Sequence, residues 1–215
     1  VFMCSARSGN ATVTCACHRH MRAAGVARGA LLPTPLALLP RMPGPLTDYG
    51  PRMATIRLVE PRDIPEIRAM IEELAEFEKA RDQVQATDEL LLDALCGERP
   101  QAFAHVVEDA SGHLVGFALW FLNFSTWLGR HGIYLEDLYI RPEHRGTGLG
   151  RALLATLARE CLDRGYGRLE WWVLDWNDPA IEFYRAHGAE AMDEWTVYRV
   201  SGEALKTLAD GLSPT

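Results

Sequence analysis

The sequence predicts a domain of mixed α/β class over residues 53–215, in which antiparallel strands precede a helix that follows a glycine loop. Three observations support this class. Apolar residues recur at helical spacing after Asp63, three runs between Ala102 and Ile140 have the length and composition of strands, and a glycine-rich segment at 146–150 precedes an amphipathic stretch. This order differs from a repeating strand–helix–strand pattern.

The first half of the domain opens with strand, helix and hairpin signals. Asp63 has the position of an N-cap residue, and the apolar spacing after it predicts a helix from Ile64 to about Lys79. Asp88 begins a shorter helix that ends at Leu95. The turn residues Ser111 and Gly112 separate two strands and predict a hairpin. The strands expected in this half are Thr55–Val59, Ala102–Glu108, Leu114–Phe124 and Ile133–Ile140.

The second half begins with the glycine-rich segment and continues as a helix. The stretch from Leu149 to about Arg164 is amphipathic, and Gly165 is the kind of residue that commonly ends a helix. Asp178 and Pro179 are typical of the first positions of another helix. The remaining elements are expected at Arg168–Leu174, Pro179–His187 and Thr196–Val200, the first and last as strands and the middle one as a helix.

Residues 1–52 differ in composition from the rest of the chain. They contain six arginines, six prolines and one acid, Asp48, and have neither helical nor strand periodicity. We expect an unstructured extension, or upstream sequence joined by a wrong start, since the domain pattern opens at Met53. A targeting peptide is an alternative because such segments are rich in arginine and poor in acids. A metal cluster is another, on Cys15, Cys17, His18 and His20.

Charge and cysteine usage limit the classes of function. The net charge of −7 divides into +5 over residues 1–52 and −12 over the remainder, and an acidic domain disfavours nucleic acid and membrane surfaces while it favours cationic ligands. No apolar run approaches the length of a membrane span. Five cysteines without framework spacing indicate a reducing compartment, so a cytoplasmic location is expected. No metal site is expected from the isolated histidines His105, His113, His131 and His144.

The segment Arg145–Gly150, of sequence RGTGLG, is the most informative motif. Glycines allow positive φ and a close approach of the backbone to a ligand, and the free N–H groups of a following helix can bind a pyrophosphate without a lysine. A plain strand-to-helix turn is the alternative. The alternating glycines do not have the spacing of a dinucleotide-binding loop, and Gly150-Arg151-Ala152 does not have the ending of a nucleotide-triphosphate loop.

The loop reads R-x-x-G-x-G and follows the segment Leu135–Pro142, of sequence LEDLYIRP, and this combination resembles the acetyl-CoA signature of the GNAT superfamily. The resemblance extends to the diamine acetyltransferase group, which includes spermidine/spermine acetyltransferase and its thialysine-acetylating paralogue. It covers about Met53 to Gly211 and implies the GNAT fold, with a central mixed, mostly antiparallel sheet. The segments that carry it are Glu73–Lys79, Ser125–Trp127, Tyr134–Asp137 and Leu174–Asn177.

The resemblance also implies which residues contact the two substrates. The family commonly has tyrosine where this chain has Phe77, which removes a hydroxyl from the expected amine site. Amine contacts are implied at Phe77, Glu78, Glu136 and Glu194. Separately, Trp127 and Trp195 could line the amine pocket or simply pack, and the pocket is favoured for Trp127. Acetyl-CoA contacts are implied at Leu138, Tyr139 and Ile140 for the pantetheine arm, at Arg145, Gly146, Thr147, Gly148, Leu149, Gly150 and Arg151 for the pyrophosphate, and at Asn177, Asp178, Pro179 and Ala180 near the thiol end.

Two residues are candidates for the chemistry of acetyl transfer. Glu136 could accept a proton from the incoming ammonium group, or it could only anchor that group by charge. Tyr184 lies where the family has its catalytic tyrosine and could protonate the departing thiolate, although a core-facing aromatic is the alternative. His187 is expected as an exposed residue at a helix end, and Cys161 as a buried thiol without an activating partner.

The predicted function is therefore transfer of an acetyl group from acetyl-CoA to a primary amine of a small diamine, polyamine or lysine-like compound such as thialysine. Acetylation of protein lysines or N-termini is one alternative. A non-catalytic acetyl-CoA-binding module is another, and the presence of Tyr184 and Glu136 counts against it. Family analogy implies a homodimer.

Overall fold

A computed structural model of the chain describes residues 54–211. The predictions made for residues 1–52, including the extension, the targeting peptide and the metal cluster, lie outside the described residues. The strands are β1 (Thr55–Leu58), β2 (Phe103–Glu108), β3 (Leu114–Ser125), β4 (Arg130–Ile140) and β5 (Leu169–Glu170), and the helices are α1 (Ile64–Phe77), α2 (Asp88–Cys96), α3 (Leu149–Asp163), α4 (Asp178–Ala186) and α5 (Gly202–Ala209).

The five strands form one sheet in the order β1-β2-β3-β4-β5. The first three pairings are antiparallel, and β5 alone pairs in parallel, with β4. The turn around Gly112, which has a φ of +86°, joins β2 to β3 as the predicted hairpin. This mixed, mostly antiparallel sheet with flanking helices confirms the predicted fold class.

Helices cover both faces of the sheet. On one face α1 packs through Ile67 and Met70 against Phe117 of β3, and all three of these side chains are fully buried. Helix α2 joins the same cluster through Leu91 and Leu95. On the other face α3 packs through Leu153 and Leu157 against the buried side chains of β3 and β4. Each such buried side chain stabilises the fold by about 1.5–3 kcal/mol, so the helical spacing seen in the sequence fixes both layers.

The start of α1 differs from the prediction that Asp63 caps this helix. The Asp63 carboxylate accepts hydrogen bonds from Arg57 at 2.6 and 2.9 Å and from the Glu60 backbone N–H at 2.7 Å, and none from the first turn of α1. Burial by itself would raise the pKa of Asp63, but these hydrogen bonds outweigh it and lower the pKa. The buried carboxylate therefore ties β1 to the turn before α1.

One predicted strand is longer than the observed one, a second predicted strand does not form, and one observed helix was not predicted. The strand expected over Arg168–Leu174 is only the two residues of β5, because β4 pairs with the chain at Ile133 and Tyr134 and not beyond. Residues 196–200 form no strand, since no other described strand lies beside them and Tyr198 is 91% exposed. Strand composition alone does not supply the partner that a strand needs. Helix α5 follows this segment and had no sequence prediction.

Candidate active site

The glycine loop joins β4 to α3 through backbone conformations that favour glycine. Gly146 and Gly148 have φ values of +74° and +89°, and a Cβ at either position would meet no atom within 4 Å. The conformation rather than crowding therefore requires glycine at these two positions. Gly150 differs, because its φ is not positive and a Cβ there would have ordinary contacts of 3.8 Å with Phe183 and 3.9 Å with Ile140.

The loop and the first turn of α3 present a row of free backbone donors. Among the described residues, no acceptor lies within hydrogen-bond distance of the N–H groups from Gly146 to Arg151. Thr147 Oγ1 donates to the His144 carbonyl at 2.6 Å, which holds the loop without using these donors. The positive end of the α3 dipole lies behind them. This arrangement can bind a phosphate group, as the motif predicted.

Strand β4 and the chain that follows β5 do not pair beyond Tyr134, and we call the region between them the cleft. Beyond Tyr134, no backbone hydrogen bond joins β4 to the described residues 171–177. The edge of β4 from Leu135 to Ile140 is therefore open on this side, and it leads directly into the glycine loop. Peptide-like donors and acceptors on an open strand edge can pair with an extended ligand that carries amide groups.

A β-bulge in β4 lies at the start of this open edge. Leu135 pairs with Trp120 and Asp137 pairs with the neighbouring Leu119, so Glu136 is an extra residue without a partner on β3. A bulge of this kind bends the strand and changes the direction of the side chains around it. The bulge therefore determines how Glu136 and Asp137 are presented to the cleft.

Three carboxyl groups gather near the bulge. Glu136 is exposed, Asp137 is partly buried, and Glu78 lies at the C-terminal end of α1. Burial, followed by the negative charges of Glu136 and Glu78, raises the pKa of Asp137 to about 7. Burial also raises the pKa of Glu78. Glu78 and Glu136 were predicted from the sequence but Asp137 was not, since strict alternation along a strand places it on the opposite face from Glu136.

Arg145 and Phe77 meet in an aromatic contact next to these acids. The Arg145 guanidinium lies 5.9 Å from the Phe77 ring and 5.5 Å from the Tyr139 ring, and its Nε donates to the Ile140 carbonyl at 2.8 Å. The Phe77 ring is also 5.7 Å from that of Trp176. The Arg145 side chain thus lies among aromatic rings and on a β4 carbonyl, while its backbone begins the glycine loop.

The opposite wall of the cleft is built by α4 and the residues before it. Asn177 caps α4 by accepting a hydrogen bond from the Ala180 N–H at 3.4 Å, as its place before Asp178 and Pro179 allows. Tyr184 packs on Trp171, with ring centroids 4.7 Å apart, and burial raises the pKa of Tyr184 to about 12. The Tyr184 phenol therefore stays protonated at neutral pH and is available as a hydrogen-bond donor.

A group of aromatic rings lies next to the bulge. Tyr134 lies 4.9 Å from Phe121 and 5.6 Å from Trp172 between ring centroids. Trp171 packs toward the core while Trp172 is 58% exposed, so the two tryptophans face opposite ways. Exposed aromatic rings near carboxylates form a surface that suits an organic cation.

Trp127 and Glu194 are not brought to this cluster by any contact within the described chain. Trp127 lies in the turn between β3 and β4, is 79% exposed and contacts no other aromatic ring of the described residues. Glu194 is exposed and forms no hydrogen bond or salt bridge with residues 54–211. Their proposed roles at the amine site therefore stay predictions.

The other candidate side chains have structural environments. Burial raises the pKa of the Cys161 thiol, which disfavours the thiolate that a nucleophile needs. His187 is exposed at the end of α4, as predicted, and His105 is buried against Trp120 with a pKa lowered by burial to about 4. Over residues 54–211, no three His, Cys, Asp or Glu side chains are grouped to hold a metal ion. In the same range, every helix is too short or too polar to cross a membrane.

Comparison with known proteins gives consistent matches. Residues 67–189 match the Acetyltransferase (GNAT) family. The thialysine N-epsilon-acetyltransferase of Bos taurus is 40% identical over 164 residues, covering 72% of this chain and 96% of the relative, and the L-ornithine N5-acetyltransferase of Arabidopsis thaliana is 31% identical over 204 residues, covering 74% and 90%. An integron cassette protein from the mobile metagenome of V. cholerae shares the fold with a TM-score of 0.62 at 23% identity, covering 74% of this chain and 99% of that one.

Proposed function

Because this chain belongs to the acetyltransferase (GNAT) family and is therefore an acyltransferase, we propose that it transfers the acetyl group of acetyl-CoA to a primary amine of a small diamine, polyamine or lysine-like compound such as thialysine. The observation that carries this proposal is the group of three carboxyls, Glu78, Glu136 and Asp137, beside the open edge of β4. Carboxylates attract an ammonium group, and the relatives act on thialysine and ornithine.

Acetyl-CoA fits the described chain as the second substrate. We propose that its pyrophosphate binds the free N–H groups from Gly146 to Arg151, where the helix dipole favours negative charge. The pantetheine amides would pair with the open backbone edge of Leu138, Tyr139 and Ile140. The thiol end would lie by the start of α4, formed by Asn177, Asp178, Pro179 and Ala180.

The residues around the thioester have distinct proposed tasks. Glu136 holds the ammonium group of the amine, because it is an exposed carboxylate at the bulge. Phe77 and Glu78 from the end of α1 complete the acidic and aromatic side of the amine pocket, with Trp127 and Glu194 as further proposed contacts. Tyr184 donates a hydrogen bond to the departing sulfur.

The raised pKa of Tyr184 limits what this tyrosine can do. The pKa of the Tyr184 phenol is about 12, whereas that of an ordinary thiol is about 8.5, so proton transfer from this phenol to a thiolate is unfavourable in free energy. The same burial that raises the pKa of Tyr184 would also raise that of a sulfur held beside it, which reduces the mismatch. We therefore propose that Tyr184 stabilises the developing thiolate through its hydrogen bond and completes the proton transfer as the sulfur leaves.

Assembly and location follow the family analogy and the composition. We propose a homodimer that acts in the cytoplasm. The apolar side chains of Val197 and Tyr198 are exposed in the single chain, which supports association. The described cysteines, Cys96 and Cys161, are both free, which supports a reducing compartment.

Thiol release from acetyl-CoA across a panel of amines tests the proposed function. The panel contains thialysine, ornithine, putrescine and spermidine, with lysine-containing peptides and peptides with free N-termini as comparators. We expect the small amines to give the higher kcat/KM values. Preference for a peptide would support acetylation of proteins instead, and binding of acetyl-CoA without release of thiol in any reaction would indicate a non-catalytic module.

A further inference from the structure

Asp137 has a carboxyl environment unlike that of the other acids at the site. Among the described residues it forms no hydrogen bond and no salt bridge, although it is partly buried. Within residues 54–211, the other buried or partly buried carboxyls have partners, as the buried Asp63 has Arg57 and the buried Glu160 has Arg164. An unpaired carboxyl away from bulk solvent is costly to keep, so its position calls for a ligand or a proton.

The charges around Asp137 all have the same sign. Glu136 faces it from its own strand and Glu78 from the end of α1, while Leu119 opposite it on β3 is uncharged. Arg145, whose guanidinium lies over the ring of Tyr139 two residues along the strand, forms no salt bridge with Asp137. Burial, together with these two negative charges, holds a proton on this carboxyl in the free protein, and an arriving cation would release it.

We propose that Asp137, rather than Glu136, is the residue that accepts the proton from the ammonium group of the amine. This inference rests on the proposed function. Glu136 is exposed to water at the bulge and serves to attract and hold the amine, whereas Asp137 lies deeper on the same open edge. The bulge places both carboxyls beside the cleft, and a regular strand would separate them onto opposite faces.

The proton balance of the reaction assigns one transfer to Asp137. The ammonium nitrogen gives one proton to the Asp137 carboxylate. The lone pair freed on nitrogen then attacks the thioester carbon and forms the C–N bond, while the π electrons of the C=O bond move onto the oxygen. The carbonyl then re-forms, the C–S bond breaks, and sulfur takes the bonding pair and a proton from Tyr184. The new amide nitrogen loses its second proton through water, which restores Tyr184. Asp137 releases the first proton to solvent, so each turnover yields one amide, one thiol and one proton.

The pH dependence of kcat/KM in the wild type and in the variants D137N, D137E and E136Q tests this assignment. Thialysine, or the panel amine with the highest rate, serves as the probe. In the wild type we expect a rise on the acidic side with an apparent pKa near 7, well below the value of about 10 for the amine itself. D137N should lower kcat/KM at pH 8 by about 10²–10⁴-fold and abolish this rise. D137E should recover part of the rate.

The E136Q variant separates the two carboxyls. Removing one negative neighbour should move the acidic rise to lower pH while the KM for the amine increases, and the rise itself should persist. D163N, in an exposed carboxyl at the end of α3, is the matched control and should behave as the wild type. Unchanged affinity for acetyl-CoA, measured by calorimetry, would show that D137N is folded.

The outcomes separate this inference from the proposed function. If the wild type releases thiol but D137N keeps both its rate and its acidic rise, Asp137 is not the proton acceptor while the proposed function stands. Loss of the acidic rise in E136Q instead of D137N would assign the proton to Glu136. A wild type that acts on no amine overturns the proposed function and this inference together.

Discussion

At the scale of single residues, burial decides how each polar group at the site can act. Asp137 and Tyr184 are both withdrawn from water, and in both cases burial raises the pKa. For the carboxyl, this places the pKa near neutral pH, where a proton acceptor works best. For the phenol, it keeps the proton on the oxygen at neutral pH, as the proposed role of Tyr184 at the departing sulfur requires.

Stability should report on Asp137 independently of activity. Its pKa is about 7 in the folded chain against 3.8 for a free side chain, so the folded state keeps a proton that the unfolded state loses. This group's contribution to stability therefore falls as pH rises from about 4 to about 7 and is constant above. Compared with the wild type, D137N should be more stable at pH 8 by on the order of 1 to 3 kcal/mol, after solvent screening is discounted. Urea unfolding of both proteins at pH 5 and pH 8 measures this, and an equal pH dependence would contradict it.

Replacing Tyr184 by phenylalanine should separate its chemical role from packing. The Y184F change removes one hydroxyl and keeps the ring contact with Trp171. We expect kcat to fall by about 10²–10⁴-fold while the affinity for acetyl-CoA and the Tm change little. Single-turnover kinetics measure the chemical step directly. Near-normal turnover in that assay would make Tyr184 a packing residue, with the thiolate protonated by water.

At the scale of elements, the candidate site is formed mainly by the end of β4, the glycine loop and the start of α3. A bulge bends β4, its outer edge is left open, and a loop with two left-handed glycines turns the chain into a helix with free N–H groups. Helix α4 packs beside this loop, since Phe183 approaches Gly150. The binding of acetyl-CoA is thus proposed to depend on backbone geometry more than on charged side chains.

Gly150 offers a test of the loop that spares the fold. A Cβ at this position has only ordinary contacts, and the dipole of α3 stabilises a negatively charged side chain in the first turn of this helix. G150D should therefore keep the Tm or raise it slightly while it weakens binding of acetyl-CoA by repelling the pyrophosphate. G150N has nearly the same shape without the charge and should bind more tightly than G150D. Calorimetric titration compares the two, and equal affinity for acetyl-CoA in wild type and G150D would place the pyrophosphate elsewhere.

At the scale of the whole molecule, charge is distributed to suit a cationic substrate. Residues 53–215 carry a net charge of −12, and three acids gather at the site itself. Such a field raises the local concentration of cationic amines and weakens as salt is added. Residues 1–52, by contrast, are basic in composition.

Removal of residues 1–52 tests the predicted domain boundary. The apolar residues of this segment have no period that would let them join a core, so the shortened chain should keep its activity and its Tm. Thermal unfolding and the thiol-release assay, both on the full chain and on residues 53–215, make the comparison. A fall of several degrees, or bound zinc detected by mass spectrometry in the full chain alone, would show that the segment has a structural role.

Features that depend on neighbours close in the chain could be predicted from the amino-acid pattern alone. Helices α1, α2, α3 and α4, the hairpin of β2 and β3, and the glycine loop were all predicted, because caps, turns and apolar spacing act over a few residues. Membership of the family followed from motifs of the same local kind. The candidate residues Glu78, Glu136 and Tyr184 could therefore be named before their surroundings were known.

Features that depend on residues distant in the chain became visible only in the packed fold. The bulge at Glu136 is a property of the register with β3, and the short length of β5 results from its divergence from β4. The position of the Arg145 side chain among aromatic rings depends on Phe77, 68 positions earlier in the numbering. The raised pKa of Asp137 requires burial and the charge of Glu78 from another element. Register and burial arise from the packed chain as a whole, so no local pattern encodes them.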